Sequence, residues 1–309
     1  MSTAEQLYKY TVTEDQDGSR FDRFLAGELR EHSRSYIQKL MKEGRALCNG
    51  KVGKPSLRLQ TDDQITLRVP PLKELEVLPE EMPLDIVYED EDVILINKAK
   101  DMVVHPCPGR YSGTLVNGLL YHCRDDLSGI NGVLRPGIVH RIDMDTTGIV
   151  IACKNDEAHQ KIAEQLAAHS MTRAYYALVL GGFSSDIGTV DQPIGRDPKD
   201  RKKMAIREKG KHAVTHYEVV QRYQGYTLIR CRLETGRTHQ IRVHMASIGH
   251  PLVGDPLYGA KKQPFHTEGQ CLHAYLLGFR HPKSGAYLEF SVPLPAYFEA
   301  LLKSLRPLS

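Results

Sequence analysis

The spacing of apolar residues near the start of the chain predicts two short amphipathic helices. Apolar residues of the first helix follow the i, i+3, i+4 spacing of one helical face: Phe21, Phe24, Leu25 and Leu29. A second helix is expected from a cap at Ser33 to a stop at Gly44. Its inward residues would be Ile37, Leu40 and Met41, and its polar side would carry Arg34, Lys39 and Lys42.

Residues that follow these helices predict β-structure. Asn49-Gly50 is a strong hairpin signal, because both central residues of a type I′ turn adopt positive φ. The segment 63–69 alternates apolar and polar residues like a half-buried strand. Together these patterns indicate a small unit of two helices and a hairpin.

From residue 85 onward, predicted strands dominate. β-Branched and apolar runs occur at 92–98, 148–154, 174–181, 215–223 and 226–233, and a hairpin covers 276–292. A helix is expected after the second run, opened by Asn155 or Asp156. Because helices do not alternate regularly with strands, the pattern predicts an α+β fold with a mixed, mostly antiparallel β-sheet.

Composition excludes several classes of protein. The chain has 309 residues, of which 41% are hydrophobic and 26% charged, as in globular proteins of about two domains. No apolar run approaches the ~18 residues of a membrane span, and the N-terminus lacks the pattern of a signal peptide. The six cysteines form no C-x-x-C pair, so reduced thiols in a cytoplasmic protein are expected.

The net charge of +3 conceals large local differences. Residues 18–72 contain eleven Lys or Arg against six acids, whereas 73–92 contain one Lys, nine acids and two prolines. We therefore divide the chain into an N-terminal tail (1–17), a basic domain (18–72), an acidic linker (73–84) and a large domain (85–309). Basic blocks on both sides of an acidic segment favour a polyanionic partner.

Side chains capable of chemistry are densest just before the strand predicted at 148–154. His140, Arg141, Asp143 and Asp145 lie there, and polar groups at the end of a rigid strand are well placed to form a site. Asp145 is expected to stabilise a turn, so the paired-carboxylate chemistry of glycosidases is not predicted.

A second cluster covers 233–259. Thr238 is expected to cap a helix that ends at Gly249 and buries one face: Ile241, Met245 and Ile248. Arg242 would then lie in the first helical turn, off the apolar face, where it can hold a carboxylate with two hydrogen bonds. The five-residue spacing of His239 and His244 is poor for metal ligands, so no metal is predicted.

The segment 196–212 has eight Lys or Arg against three acids. It is either a floppy loop or a contact for the backbone of a polyanionic partner, and we favour the contact, with Lys202 and Lys203 as candidates. The chain has no G-x-G-x-x-G and no Gly-rich loop ending in Lys-Ser or Lys-Thr, so no cofactor is predicted.

The basic domain resembles the S-four-type (alpha-L) RNA-binding domain. The matching residues are Arg20-Phe-Asp, Ser33-Arg34, Gly44-Arg45, Asn49-Gly50-Lys51 and Asp62-Asp63-Gln-Ile. The resemblance implies that RNA is contacted by Arg34, Lys39, Lys42 and Arg45.

Three motifs of the large domain resemble, in order, those of the RluA family of pseudouridine synthases. They are His140-Arg141-Ile142-Asp143 followed by Thr146-Thr147-Gly148, then Arg173-Ala174-Tyr175-Tyr176-Ala177, then Gly236-Arg237-Thr238-His239-Gln240-Ile241-Arg242. The segments KHAVTHYE and HPLVGDPLYG are most similar to the RluD type, which modifies large-subunit ribosomal RNA. Ala99 departs from the usual Asn-Lys-Pro of the family.

The resemblance implies the pseudouridine synthase fold and a role for each matched residue. Asp143 would be the catalytic carboxylate, with Arg242 as its ion-pair partner. Tyr175 would stack on the target base and help remove its C5 proton. Arg141 would replace the flipped nucleotide in the RNA stack, and His140 would face the RNA. These roles are physically consistent, because a stacked uridine must be extruded and only an ionised carboxylate can attack it.

The resemblance further implies a monomer that isomerises uridine in large-subunit ribosomal RNA or its precursor, without cofactor, metal or membrane partner. The sequence does not distinguish a first attack at the sugar from a first attack at carbon 6 of the base. Three alternatives are a non-catalytic ribosome-assembly factor, a pseudouridine synthase acting on tRNA, and a nucleoside hydrolase that releases free base. The intact Asp143, Tyr175 and Arg242 argue against the first of these.

Overall fold

The chain folds into two compact units, residues 1–75 and 76–309. The computed structural model describes residues 5–29, 34–70, 77–107, 109–124, 126–130, 136–260, 262 and 265–308. Within these residues, no helix is both long enough and apolar enough to cross a bilayer.

The first unit packs two helices against a four-stranded sheet. Its elements are β1 (Gln6–Thr11), α1 (Phe21–Glu28), α2 (Arg34–Lys42), β2 (Ala46–Cys48), β3 (Lys51–Val52) and β4 (Gln64–Val69), with sheet order β1-β4-β2-β3. The apolar faces expected from the sequence form its core, which includes Phe21, Leu25, Ile37 and Leu40. Asn49 and Gly50 both have positive φ and turn the chain between β2 and β3. The expected cap at Ser33 lies outside the described residues.

The expectation of an N-terminal tail over 1–17 misses a strand. β1 pairs antiparallel with β4 over its whole length, from Gln6↔Val69 to Thr11↔Gln64. The segment is an edge strand, with Tyr8 and Tyr10 against the core and Leu7 exposed. Because an edge strand with an outward Leu does not alternate cleanly, its sequence carries a weak strand signal.

The second unit is built on a nine-stranded sheet. Its strands and those of a small separate hairpin are β5 (Ile86–Glu89), β6 (Val93–Lys98), β7 (Thr147–Cys153), β8 (Thr172–Leu180), β9 (Ile187–Asp191), β10 (Ile194–Arg196), β11 (Met204–Ile206), β12 (Val214–Tyr223), β13 (Tyr226–Leu233), β14 (Leu272–Arg280) and β15 (Tyr287–Ser291). Its helices are α3 (Leu115–Cys123), α4 (Asp156–Ala167), α5 (Gln240–Ser247) and α6 (Ala296–Ser304).

The large sheet runs in the order β5-β6-β7-β14-β8-β13-β12-β9, and β15 also pairs with β14. The pair β7–β14 is parallel, whereas the other pairs of the sheet are antiparallel in the described residues. The predicted α+β class with a mixed, mostly antiparallel sheet is therefore confirmed. The Asn155 side chain caps α4 by accepting from Ala158 N at 2.9 Å.

Strand β7 is buried on both faces of the sheet. Val150 and Ala152 belong to one apolar core, whereas Ile149, Ile151 and Cys153 belong to another. Successive side chains of a strand point to opposite faces, so β7 separates two cores. Because both faces of β7 are packed, the start of this strand gives the preceding loop a fixed point of attachment.

The acidic linker expected over 73–84 is in part a packed segment. Val77 lies in the core of the second unit, and Asn117 of α3 donates to Leu78 O at 2.8 Å. Glu80 N donates to Asn117 O at 3.0 Å. Proline and acidic residues suggested an exposed linker, but the apolar residues between them dock this segment onto α3.

The basic segment 196–212 contains an ordered hairpin. Strands β10 and β11 pair from Ile194↔Ile206 to Arg196↔Met204. Their apolar residues pack with Val243 of α5, and Ile194 and Val243 are both buried. The basic side chains of the intervening turn are thereby carried on a fixed support, so the floppy-loop alternative is wrong for these strands, and the RNA contact stays a prediction.

Candidate active site

The loop that carries Asp143 is tied down immediately before β7. Thr146 N donates to Asp143 O at 3.1 Å, and Gln270 Nε2 donates to Thr146 Oγ1 at 3.0 Å. On β7, Thr147 Oγ1 lies 2.8 Å from His273 Nδ1 of the parallel strand β14. The Asp143 backbone is therefore fixed by groups from across the sheet.

Lys98 provides a second support for this loop. Its ammonium group donates to three carbonyls, Ala99 O at 2.7 Å, Met102 O at 2.9 Å and Met144 O at 2.9 Å. Burial lowers the pKa of Lys98 to about 7, although the charges of Asp145 and Asp143 oppose that shift. The sequence analysis missed this residue, whose one local signal is a Lys at the end of a buried apolar strand.

Arg242 lies in the first turn of α5 and joins two carboxylates. Its Nη1 donates to Asp143 Oδ2 at 2.8 Å. On its other edge, Nε and Nη2 donate to Asp255 Oδ2 at 2.7 Å and Oδ1 at 2.9 Å. Arg242 is 4% exposed and Asp255 is 1% exposed. The two-bond contact therefore fixes the guanidinium, and the fixed guanidinium positions Asp143.

Asp255 is a residue of the site that the sequence analysis did not identify. Burial alone would raise its pKa, but the hydrogen bonds and charge of Arg242 outweigh burial and lower it. Leu257 N and Tyr258 N also donate to Asp255 Oδ1, at 2.9 and 3.0 Å. Burial alone would lower the pKa of Arg242, but the carboxylates of Asp255 and Asp143 raise it.

The expected cap of α5 at Thr238 is wrong by one residue. His239 occupies the cap position with a positive φ of 56°. The turn is closed by Gln240, whose Oε1 accepts from Arg237 N at 2.9 Å and from Thr235 Oγ1 at 2.7 Å. The buried amide of Gln240 thus fixes the turn that leads into α5 by satisfying the Arg237 N–H and the Thr235 hydroxyl.

His239 connects Asp143 to Tyr258. Its Nδ1 lies 2.8 Å from Tyr258 Oη, and its Nε2 lies 3.8 Å from Asp143 Oδ1. Burial lowers the pKa of His239 even though the Asp143 charge favours the protonated ring. Tyr258 Oη in turn accepts from Met204 N of β11 at 2.7 Å.

Tyr175 lies on β8 and lines the same cavity as Asp143. It is buried, and burial raises the pKa of its hydroxyl. Tyr176 faces the other side of the sheet and stacks on Tyr275 with ring centroids 4.1 Å apart. Because successive side chains of a strand point to opposite faces, Tyr176 packs on the face opposite to Tyr175.

Arg141 and His140 have different surroundings. Arg141 is exposed, and its Nη1 lies 3.1 Å from His105 Nε2. His140 Nε2 accepts from Ile151 N of β7 at 3.1 Å. Burial, and to a smaller extent the positive charge of Arg173, lower the pKa of His140 to about 3. The neutral His140 ring therefore supports the loop while lining the cavity.

One cavity of about 560 Å³ brings five predicted site residues together: His140, Arg141, Asp143, Tyr175 and Arg242. Asp145 lies outside this lining, next to Gly269, and burial raises its pKa. Among the described residues, the one group of three or more His, Cys, Asp or Glu that can meet around a metal ion is Asp90, Asp92 and His281. That group is separate from the cavity.

Three of the four predicted RNA-contacting residues of the first unit contact carboxylates, among them Lys39, whose Nζ lies 3.9 Å from Glu43 Oε1. Arg34 Nη2 contacts Asp22 Oδ2 at 2.6 Å, and Arg45 Nη1 contacts Glu5 Oε1 at 2.8 Å. Lys39 and Lys42 are exposed on α2. In the second unit, Lys202 is exposed and Lys203 is half-buried in the turn between β10 and β11.

The chain is similar in sequence to one group of proteins. A family model described as RNA pseudouridylate synthase matches residues 92–247. A Bacillus subtilis protein named Uncharacterized RNA pseudouridine synthase YlyB is 52% identical over 296 residues, which cover 96% of this chain and 97% of that protein. The Ribosomal large subunit pseudouridine synthase D of Escherichia coli (strain K12) is 42% identical over 309 residues, which cover 96% of this chain and 93% of that protein.

A solved structure is also similar. Human RNA Pseudouridylate Synthase Domain Containing 1 superposes with a TM-score of 0.59 at 27% identity, covering 75% of this chain and 91% of the human chain. Residues 92–247, matched by the family model, include all three sequence motifs and every predicted residue of the cavity.

Proposed function

This chain belongs to the RNA pseudouridylate synthase family, and from that premise we propose that it isomerises specific uridines of large-subunit ribosomal RNA. The substrate class is supported by relatives named for the ribosomal large subunit at 42–45% identity. The observation that carries the chemical assignment is the Asp143 carboxylate in the cavity, held at 2.8 Å by a buried Arg242.

In the proposed reaction, Asp143 acts as an ionised nucleophile. The N1–C1′ bond of uridine breaks, a C5–C1′ bond forms, the C5 proton is lost and N1 gains a proton. Arg242 stabilises the carboxylate as an anion, and Asp255 keeps Arg242 from turning away. This arrangement serves attack at the sugar or at carbon 6 of the base.

Tyr175 and Arg141 would handle the flipped nucleotide. The buried Tyr175 ring offers a flat apolar surface for the extruded base. Burial raises the pKa of its hydroxyl, so we assign Tyr175 to stacking rather than to removal of the C5 proton. The exposed Arg141 lies at the cavity, where its guanidinium can stack in the gap that the uridine leaves.

RNA recognition away from the cavity is assigned to two basic surfaces. The first unit, as an S-four-type domain, would use Arg34, Lys39, Lys42 and Arg45, of which Arg34 and the two lysines are exposed. The turn between β10 and β11 would add further contacts to phosphates. A monomer working on ribosomal RNA in the cytoplasm is part of this proposal.

The decisive experiment is chemical mapping of pseudouridine in ribosomal RNA from a strain that lacks this gene. Carbodiimide labelling should show missing pseudouridines in the large-subunit RNA, restored by the wild-type gene. Asp143→Asn should restore none while still binding the RNA, because an amide cannot act as the nucleophile. Activity of this variant within about ten-fold of wild type, ~1.4 kcal/mol of barrier, contradicts the role of Asp143.

The same experiment separates the alternatives. Loss of pseudouridine from tRNA alone favours a tRNA enzyme, and release of free uracil in vitro identifies a hydrolase. Unchanged pseudouridine in every RNA leaves a non-catalytic assembly factor.

A further inference from the structure

Arg173 carries a buried positive charge without an acidic partner among the described residues. It lies on β8 and is 7% exposed. Nη2 donates to Glu234 O at 2.9 Å, while the Glu234 carboxylate contacts His216 instead. Nε of Arg173 is buried without a hydrogen-bond partner in the described part of the chain. Buried charges in proteins are normally paired, so this guanidinium has unused binding capacity.

A second arginine adds to this charge. Arg237 is half-buried, and its Nε donates to the carbonyl of His212 at 2.9 Å. Burial lowers the pKa of Arg173, and the positive charge of Arg237 lowers it further. An anion that contacts both guanidinium groups would stabilise the two positive charges.

The two arginines belong to the catalytic cavity. Arg173, Arg237, Asp143 and Tyr175 all line it, and Arg173 precedes Tyr175 by two residues on the same face of β8. A Cβ on Gly236 would lie 2.6 Å from Arg173 Nη1. The glycine therefore leaves the space in which the guanidinium is seated.

We propose that Arg173 and Arg237 form an anion subsite that binds a backbone phosphate of the target uridine. The inference rests on the proposed function, because it takes the occupant of the cavity to be a nucleotide. Uracil and ribose are uncharged, so the 5′ or 3′ phosphate is the anion that a flipped uridine brings into the site. Asp143 repels that phosphate, which favours placing it at the arginine side of the cavity.

The test compares binding of uridine, uridine 5′-monophosphate and uridine 3′-monophosphate to the full chain by titration calorimetry at low salt. One of the two monophosphates should bind at least about ten-fold more tightly than uridine, as expected for charge-assisted hydrogen bonds. Arg173→Met should abolish that preference. Arg232→Met is the matched control, since Arg232 is an exposed arginine that lines a different groove, and it should retain the preference.

Two further variants keep the test decisive if Arg173→Met fails to fold. Gly236→Ala retains both charges but displaces the guanidinium of Arg173, and Arg237→Met removes the more exposed charge. Both should reduce the preference for the monophosphate. An unchanged preference in the folded variants of this set, or an equal loss in Arg232→Met, overturns the subsite.

The outcome is independent of catalysis, because binding of mononucleotides requires no isomerisation. A chain that makes no pseudouridine but loses phosphate preference with Arg173→Met keeps the subsite and refutes the proposed function. The opposite result is also possible: the chain makes pseudouridine, but Arg173→Met binds the three probes like wild type. That result refutes the subsite and keeps the proposed function.

Discussion

At the scale of single residues, Asp143 is held by a row of alternating charges. Arg242 lies between Asp143 and Asp255, and its two edges are both used. A buried arginine with one carboxylate would be free to turn within that contact. The second carboxylate, itself bound by Leu257 N and Tyr258 N, removes that freedom and links Asp143 to the segment after α5.

Arg242→Ala should inactivate the enzyme and destabilise the second unit. Removing one partner of a buried charge pair costs about 3–5 kcal/mol, because the other charge stays desolvated. Here two carboxylates lose the same partner. Urea denaturation and tritium release from RNA labelled at uridine C5 measure the two effects. Arg230→Ala, which removes an exposed pair with Glu218, should change stability by about 0.5 kcal/mol or less.

Asp255→Asn tests positioning separately from chemistry. The amide keeps the shape but gives up the charge, so Arg242 should be less firmly held and the rate should fall at least roughly ten-fold, ~1.4 kcal/mol of barrier. A positioning role predicts a lower kcat with little change in KM for RNA. A variant with wild-type kcat would show that Asp143 keeps its place without Asp255.

Residues that stand in local motifs were easier to find from the sequence than the residues that hold them. Asp143 and Arg242 stand in recognisable motifs, and the family that these motifs indicate is confirmed. Lys98 and Asp255 act through contacts with distant segments: Lys98 binds the carbonyl of Met144, and Asp255 binds Arg242. A side chain whose partner is set by tertiary packing has no local pattern that reveals it.

At the scale of elements, the parallel contact between β7 and β14 fixes the end of the loop that carries Asp143. Gly148 faces Ala274 in this pair and has a φ of 112°. A Cβ at residue 148 would overlap the Ala274 carbonyl. The close approach therefore depends on glycine both for backbone conformation and for space.

Gly148→Ala should destabilise the second unit by more than about 3 kcal/mol, since backbone strain and overlap add. Gly225→Ala is the control, because Gly225 has a φ of 82° but open space around its Cα. That variant should lose only the backbone strain of about 1–2 kcal/mol. Thermal or urea unfolding of both variants measures the difference, and equal losses would mean that the contact with Ala274 is relieved at no cost.

In the first unit, Asp22 joins α1 to α2. It is fully buried and accepts from Arg20 Nε at 3.1 Å, Arg34 Nη2 at 2.6 Å and Gln38 Nε2 at 2.6 Å. Burial alone would raise its pKa, but these hydrogen bonds outweigh it and lower the pKa well below the ordinary value of 3.8. Arg34 is therefore a structural partner of Asp22 as well as a predicted RNA contact.

Asp22→Asn should destabilise the first unit by about 2–3 kcal/mol at pH 7, the value of hydrogen bonds to a charged group. Because the folded-state pKa is lowered, the stabilisation is complete above pH 3.8 and declines as the pH falls below it. The loss of stability caused by Asp22→Asn should therefore become smaller as the pH falls below 3.8. Hydrogen exchange of 21–28 in the full chain, corrected for intrinsic rates, measures it. Glu43→Gln removes one partner of an exposed ion pair, and it should have little effect on stability at pH 7 or below pH 3.8.

Elements with a strong repeating pattern were predicted well. The strand at 148–154 and its following helix appear as β7 and α4, and the hairpin over 276–292 appears as β14 and β15. The edge strand β1 and the short hairpin β10–β11 were missed, because three to six partly exposed residues carry too little periodicity. For β1, pairing is decided by β4, which lies far along the chain.

At the scale of the whole molecule, no buried apolar cluster of the described residues contains side chains from both units, so we expect each unit to fold on its own. The core of the first unit is drawn from residues between Val12 and Val69. The large core around the site is drawn from residues between Val77 and Ala274. The segment 77–84 belongs with the second of these, so a cut before residue 76 leaves α3 covered.

Deleting residues 1–75 should leave a folded second unit that still isomerises uridine, with weaker and less selective RNA binding. All residues of the cavity lie beyond the cut. The deletion removes the exposed Lys39 and Lys42 with the other basic groups of α2, so binding should depend less steeply on salt. The log–log slope should fall by about 0.7–0.9 for each phosphate that the first unit neutralises in the full chain.

Titration of a large-subunit RNA fragment at several salt concentrations measures this change. The double variant Lys39→Ala/Lys42→Ala in the full chain provides the matched comparison, since both lysines are exposed and their removal leaves the core of the first unit in place. It should reproduce part of the reduced slope while the kcat at saturating RNA stays unchanged. If the deleted chain and the full chain bind with equal affinity and equal slope, the first unit makes no contact with this RNA. The prediction that the first unit binds this RNA as an S-four-type domain would then be wrong. Selectivity for RNA would have to come from the second unit, where the turn between β10 and β11 carries exposed basic residues.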